Sequence, residues 1–403
     1  MIPFSPPRID ERTVEAVAEA LRSGWITTGP RTKQFERELA AYCGVERVIA
    51  LNSWTNACEL VLRWFGIGPG DEVIVPAYTY CASANIVEHV GAIPVLVDIL
   101  DDFTLDPDDV ARKLSPATKC IMPVDVGGLP ARIDRIMALA EGHRTSFRPA
   151  AGSMPQELLG RPLVLSDAAH SFGARISDRP VGSQADITGF SFHAVKNLTT
   201  AEGGALAFHL PEAFDAEELY HWFNVMSLHG QSKDALAKNQ PGAWRYDVTA
   251  PGYKCNMTDL QAAIGLVELE RYDRETRPRR RAICERYQAA FSSDERFLEP
   301  VLEEEGRTSS FHLYMLRVRE ATEEQRDAII TAIAERGVSV NVHFQPLPLL
   351  SHYRERGFAI GDVPKAYRQY AREISLPVYY DLTDDQVDTV IATVKEAVQE
   401  VLG

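Results

Sequence analysis

Three observations on this sequence predict an α/β architecture: a large domain with a mostly parallel central sheet, followed by a smaller α+β carboxy-terminal domain. Over the first two thirds, short apolar runs alternate with helical patterns, the signature of a parallel sheet covered on both faces. From about Arg277 the alternation gives way to an arginine-rich helix and then to mixed strands and helices. The chain has 403 residues, 45% apolar and 25% charged, enough for one large and one smaller domain, expected at 1–276 and 277–403.

In chain order, strands are expected at Arg47–Asn52, Glu72–Pro76, Ile93–Asp98, Cys120–Val124, Leu163–Ser166, Ile187–Ser191 and Ala205–Phe208. Helical stretches at Asn56–Trp64 and Ser83–His89 separate several of them. Glu141 to Leu159, carrying Gly142, Pro149, Gly152 and Pro155, breaks the pattern and reads as an insertion loop. The second domain should hold a strand within Ser310–Val318, a helix at Glu323–Arg336 and a strand around Val338–Phe344. In open sheets of this kind, ligands collect where strands end and helices begin.

Composition narrows the function classes. A formal charge of −15 argues against nucleic acid as a partner, because neutralising phosphates needs a basic surface. The amino terminus lacks a basic region followed by an apolar core, and no apolar run reaches membrane-spanning length, so a cytoplasmic protein without a membrane partner is expected. The six cysteines, Cys43, Cys58, Cys81, Cys120, Cys255 and Cys284, are scattered without metal-type pairs and read as reduced thiols, with no metal site expected.

The chemistry concentrates in Gly189–Gly204, where Lys196 stands between an apolar stretch and a glycine pair, shortly after the apolar run that ends at Asp167. A lysine so presented can form a Schiff base with pyridoxal phosphate, and a carboxylate at a buried strand end can protonate the pyridine nitrogen. Each residue also has a plainer reading. Lys196 could be a solvated charge, Asp167 an N-cap, His170 a core histidine and Tyr80 a core aromatic.

Asp167-Ala-Ala-His170 followed by Ser191-Phe-His-Ala-Val-Lys196-Asn-Leu-Thr-Thr-Ala-Glu-Gly-Gly204 resembles the DegT/DnrJ/EryC1/StrS family of sugar aminotransferases. Further landmarks extend the resemblance from the amino terminus to Leu376-Pro377. It implies a fold-type I enzyme using pyridoxal 5'-phosphate, with pyridoxamine 5'-phosphate as its aminated form. Lys196 then forms the Schiff base and shuttles protons, Asp167 pairs with the pyridine nitrogen, and His170 lies near the phenolic oxygen. Ser53, Trp54, Thr55 and Ser191 would hold the phosphate, and Tyr80 would stack on the ring.

Two positions depart from the family pattern. Trp54 replaces the usual glycine of Ser-Gly-Thr, and Lys254 replaces an asparagine that reaches the phosphate of the neighbouring subunit's cofactor, while Asn256 stands where the family has arginine. Lysine could serve there as a point charge, making a homodimer necessary for activity, or could be a surface lysine. Landmarks that line or border the family's sugar pocket place Thr28, His229, Tyr314 and His343 as substrate candidates. Arg279, Arg280 and Arg281 are expected on a solvated helix face rather than in a diphosphate clamp.

The resemblance implies amino transfer from L-glutamate to a nucleotide-linked keto-sugar. The subgroup most similar aminates the C4 ketone of UDP-linked 2-acetamido-2,6-dideoxy-hexos-4-ulose. Two rivals stand beside it: a sugar 3-dehydratase, which in the family carries histidine in place of the Schiff-base lysine, and a non-catalytic ligand-sensing regulator.

Overall fold

The computed structural model describes residues 1–233 and 245–403. Seven strands form the main sheet: β1 (Arg47–Leu51), β2 (Glu72–Pro76), β3 (Ile93–Val97), β4 (Thr118–Ile121), β5 (Leu163–Asp167), β8 (Ile187–Ser191) and β9 (Gly204–Phe208). A short hairpin, β6 (Arg175–Ile176) and β7 (Arg179–Pro180), lies between β5 and β8. The sheet order is β1-β9-β8-β5-β4-β2-β3, with β9 antiparallel to both its neighbours and the other pairs parallel. Six strands therefore point their carboxyl ends to one edge, and β9 begins there. Near-continuous burial along β4, β5 and β9 follows from helices covering both faces.

Two expectations need correction. The strand proposed at Cys120–Val124 ends at Ile121, and Val124 makes only an isolated bridge to Asp167. Segment 141–159 is not merely a loop: it contains the helix Met154–Leu159, and Gln156 is fully buried. Ser153 Oγ and Gln156 Nε2 donate to the Phe65 carbonyl at 2.9 and 2.8 Å. Phe65 ends the helix Trp54–Trp64, so the insertion satisfies a carbonyl that helix geometry leaves without a partner.

The second region adds β10 (Phe297–Leu298), β11 (Glu303–Glu304), β12 (Arg307–Thr308), β13 (Tyr314–Val318) and β14 (Glu373–Leu376). β13 pairs antiparallel with β10 and β14, while β11 and β12 extend the small sheet of β6 and β7. The helices Arg277–Phe291, Glu323–Glu335 and Asp384–Leu402 pack on this region, and its apolar core includes Tyr287, Leu316, Ile333 and Val394. Val338–Phe344 forms no strand. It makes single bridges at Val338 to Ile2 and at Asn341 to Ser375, so its side chains are free to leave the alternation that a ladder imposes. Arg280 is buried rather than solvated, donating to the carbonyls of Phe311 and His312 at 3.0 and 2.7 Å. Arg279 and Arg281 do form ion pairs near the surface. Among the described residues, no helix is long and apolar enough to cross a membrane.

Candidate active site

A cleft of about 360 Å³ opens at the sheet edge where the strands converge. Asp167 and Ser191 are the last residues of β5 and β8, Ser53 follows β1, and Tyr80 and Ser83 follow β2. Lys196 comes from the turn after β8. Convergence of carboxyl ends is the reason that residues far apart in sequence meet here.

Asp167 is buried, and its Oδ2 accepts from Ser83 Oγ at 2.9 Å while Oδ1 accepts from the Ala169 amide at 3.2 Å. Burial pushes its carboxyl up to about 6, and Ser83, the Ala169 amide and the charge of Lys196 oppose that rise. Lys196 is half-buried, and desolvation brings its amine down to about 8 against the attraction of Asp167. Near neutral pH the cleft thus holds an ionised acid and an amine with an appreciable neutral fraction.

His170 Nδ1 accepts from the Gly127 amide at 3.2 Å, which leaves the ring proton on Nε2. Burial, with the charge of Lys196 second, holds the ring well below its ordinary range, so it stays neutral. Its ring lies 4.4 Å from that of His312, and His312 Nδ1 meets Asn197 Oδ1 at 2.8 Å. Asn197 Nδ2 donates to the Ser310 carbonyl at 2.9 Å, which orients the amide and makes His312 the donor.

Ser53, Trp54 and Thr55 sit at the amino end of the Trp54–Trp64 helix. Ser53 Oγ is used as an N-cap, accepting from the Asn56 amide at 3.1 Å, so an anion would meet the helix dipole and first-turn amides. The indole of Trp54 is accommodated because β8 has a glycine beside it: a Cβ at Gly189 would come within 2.9 Å of Trp54 Nε1. Gly204 serves similarly, since a Cβ there would fall 2.4 Å from the Trp54 amide nitrogen. Tyr80 is 62% exposed, with its ring 6.0 Å from Phe344. It is thus a wall of the cleft rather than a core aromatic.

The cleft therefore gathers Lys196, Asp167, His170, Ser53, Trp54, Thr55, Tyr80, Ser191 and His343. Four predicted residues lie outside it. Thr28 is buried in a structural bond, its Oγ1 donating to the Met257 carbonyl at 2.5 Å and accepting from Asn256 Nδ2 at 2.7 Å. His229 is exposed at a left-handed turn, its amide bonded to the Tyr253 carbonyl. Tyr314 belongs to the apolar core of the second region, 5.1 Å from Tyr287. Lys254 is exposed outside the cleft and bonds Asn256.

Residue-by-residue reading missed Ser83 on Asp167, together with Phe4 and Ser5. Phe4 arrives because Ile2 bridges Val338, and it stacks 5.5 Å from His343. The proline-flanked run Pro3-Phe4-Ser5-Pro6 was the available signal for an extended segment.

These residues fit pyridoxal phosphate. A buried carboxylate faces a lysine of lowered pKa in one cleft, and Gly204 lets β9 pack directly on the backbone of Ser53 and Trp54, which brings the helix start with Ser53, Trp54 and Thr55 to the cleft wall. Among the described residues, no group of three or more His, Cys, Asp or Glu side chains could hold a metal ion.

Comparison with known proteins agrees with this geometry. Residues 7–395 match the DegT/DnrJ/EryC1/StrS aminotransferase family. The spore coat polysaccharide biosynthesis protein SpsC of Bacillus subtilis is 40% identical over 99% of this chain and 97% of its own. Spr1654 of Streptococcus pneumoniae, assigned as a sugar aminotransferase, superposes in its PMP form with a TM-score of 0.95 at 46% identity, covering 100% of both chains. Its PLP form gives 0.95 at 44% identity, again over 100% of both chains. PseC of Helicobacter pylori, an aminotransferase involved in the biosynthesis of pseudoaminic acid, gives 0.86 at 25% identity, covering 99% of each chain.

Proposed function

The chain belongs to the DegT/DnrJ/EryC1/StrS aminotransferase family and is a pyridoxal phosphate-dependent sugar aminotransferase, and from that premise we propose the following reaction. It transfers an amino group from L-glutamate to a nucleotide-linked keto-sugar, the C4 ketone of a UDP-linked 2-acetamido-2,6-dideoxy-hexos-4-ulose, for surface polysaccharide or glycan biosynthesis. The observation that carries this reading is Lys196 facing Asp167 and His170 in a cleft walled by Phe4, Tyr80, Val195 and Phe344. Those apolar side chains suit the methyl carbon of a 6-deoxy sugar.

Bound pyridoxal phosphate supplies the electron sink and carries the amino group between the two half-reactions. Asp167, ionised at neutral pH, holds a proton on the ring nitrogen. His170 offers Nε2–H to the phenolic oxygen. Lys196 Nζ moves the proton between the substrate carbon and the cofactor's methine carbon, a task suited to an amine brought down to about 8. Thr55 and Ser191, with the first-turn amides, bind the phosphate.

The reading includes a cytoplasmic homodimer in which Lys254, outside its own cleft, reaches the partner subunit's cofactor phosphate. It also includes a division into a cofactor domain, 1–276, and a smaller domain, 277–403. A core drawn almost wholly from the smaller domain, including Tyr287, Leu316, Ile333 and Val394, supports the division, while Leu313, Met315, Leu347 and Tyr353 of that domain pack into the core of the larger one.

The test is an absorbance spectrum of the protein with pyridoxal phosphate, before and after L-glutamate, for wild type and Lys196→Ala. Wild type should show a visible band that collapses with glutamate, and the variant should not turn over. UDP- and dTDP-linked keto-sugars are then screened as acceptors. A band indifferent to glutamate and other amino donors would refute amino transfer, and turnover by Lys196→Ala at the wild-type rate would refute the role of Lys196.

A further inference from the structure

Behind His343 lies a buried acid that the reaction above does not use. Glu373 and Ser375, both on β14, are fully buried. Glu373 Oε2 accepts from the His343 amide at 3.0 Å, and Oε1 meets Ser375 Oγ at 2.5 Å. Ser375 Oγ in turn lies 2.9 Å from His343 Nδ1. Two further contacts hold His343 itself, and a backbone pairing holds the segment just before it. Tyr78 donates to its carbonyl at 2.6 Å, Phe4 stacks on its ring, and Asn341 exchanges backbone bonds with Ser375. His343 lines the cleft, and since Nδ1 is tied inward, Nε2 is the ring nitrogen left for a ligand.

We propose that Glu373 is a positioning residue which, through Ser375, sets the hydrogen-bonding sense of His343 toward the keto-sugar. Oε2 faces the amide donor of His343 and Oε1 faces the Ser375 hydroxyl, so a proton on the acid finds its acceptor from Oε1. Protonated Oε1 donates to Ser375 Oγ, the hydroxyl donates to His343 Nδ1, and Nε2 carries a hydrogen into the cleft. Ionised Oε1 accepts the hydroxyl proton, Ser375 Oγ accepts from Nδ1–H, and Nε2 becomes an acceptor. In passing from the first state to the second, the Oε1 proton moves to Ser375, the Ser375 proton to Nδ1, and the Nε2 proton leaves to the cleft. The histidine is neutral in both states.

Burial pushes Glu373 up to about 8, with Ser375, the His343 amide and the charges of Arg326 and Arg317 opposing; the Tyr78 phenol also faces it. Burial, then Lys196, brings His343 down to about 3, and His170 and His312 complete its titratable surroundings. Near neutral pH His343 is therefore a donor, suited to a carbonyl or phosphate oxygen.

The proposal rests on the cleft being the keto-sugar site, and two measurements separate it from that reading. First, the 15N shifts of the His343 ring in the holoenzyme, identified by their loss in His343→Gln, are followed from about pH 6.5 to about pH 9.5. Wild type should pass from the Nε2–H to the Nδ1–H tautomer. Glu373→Gln, whose amide can only donate to Ser375, should hold the Nε2–H form throughout, and Ser375→Ala should uncouple the ring from pH. A single wild-type tautomer across this range would overturn the proposal.

Second, the sugar half-reaction is normalised to the glutamate half-reaction of the same variant. The ratio should fall about tenfold across the same range in wild type and change less than about twofold in Glu373→Gln. A ring that switches while the ratio stays flat overturns the substrate-directed part. If His343→Gln leaves the normalised ratio unchanged, the assignment of the cleft to the keto-sugar has failed instead.

Discussion

Lys196→Met should abolish turnover while making the cofactor-free protein more stable at neutral pH. The amine is brought down from an ordinary 10.5 to about 8 by desolvation, net of the attraction of Asp167. That difference, at about 1.4 kcal/mol per pH unit, is an upper bound of about 3.5 kcal/mol by which the folded state disfavours the charged amine. Lys196 is half-buried, and solvent screening reduces the expected gain to about 1–3 kcal/mol. The sign follows from proton counting. Between about 8 and 10.5 the unfolded chain binds more protons than the folded one, so wild-type stability rises with pH through that window. The advantage of Lys196→Met should therefore be full below about 8 and gone above 10.5, where the wild-type amine is neutral in both states. Urea unfolding of the apo proteins at both ends of the window measures it. A variant less stable than wild type at neutral pH, or an advantage that persists at high pH, would refute the account.

Three other outcomes follow from particular contacts. Ser83→Ala removes a bond that lowers the Asp167 carboxyl, so Asp167 should titrate above its present value of about 6 and the acid limb of the activity profile should move to higher pH; an unmoved limb would separate Asp167 from the rate. Gln156→Ala deletes the bond to the Phe65 carbonyl and the one from the Ala150 amide, and urea unfolding should register a loss of about 1–3 kcal/mol. Lys254→Ala should weaken retention of pyridoxal phosphate about tenfold in a dialysis assay, and unchanged retention would remove Lys254 from any phosphate site.

Much of the fold and the chemical centre was legible in the sequence, because both depend on local patterns. β2 and β8 begin and end where the apolar runs Glu72–Pro76 and Ile187–Ser191 do, since a strand buried on both faces must be apolar throughout. Lys196 and Asp167 were visible because a strand end, a turn and a glycine pair are written in consecutive residues. Thr28, His229 and Tyr314 lie outside the cleft for the opposite reason. Each lies near a landmark motif, yet is held by a partner distant in sequence: Thr28 Oγ1 by the Met257 carbonyl, the His229 backbone amide by the Tyr253 carbonyl, and the Tyr314 ring by the core around Tyr287.

The sequence by itself determined the strand order of events along the chain, the lysine and the acid, and the class of cofactor that those two require. Only the tertiary structure decided their working states. Burial and the Ser83 hydroxyl bring Asp167 to about 6, desolvation brings Lys196 to about 8, and β14 ties Glu373 and Ser375 to His343. Protonation and hydrogen-bonding sense depend on dielectric surroundings and on partners distant in sequence, and neither exists until the chain has folded.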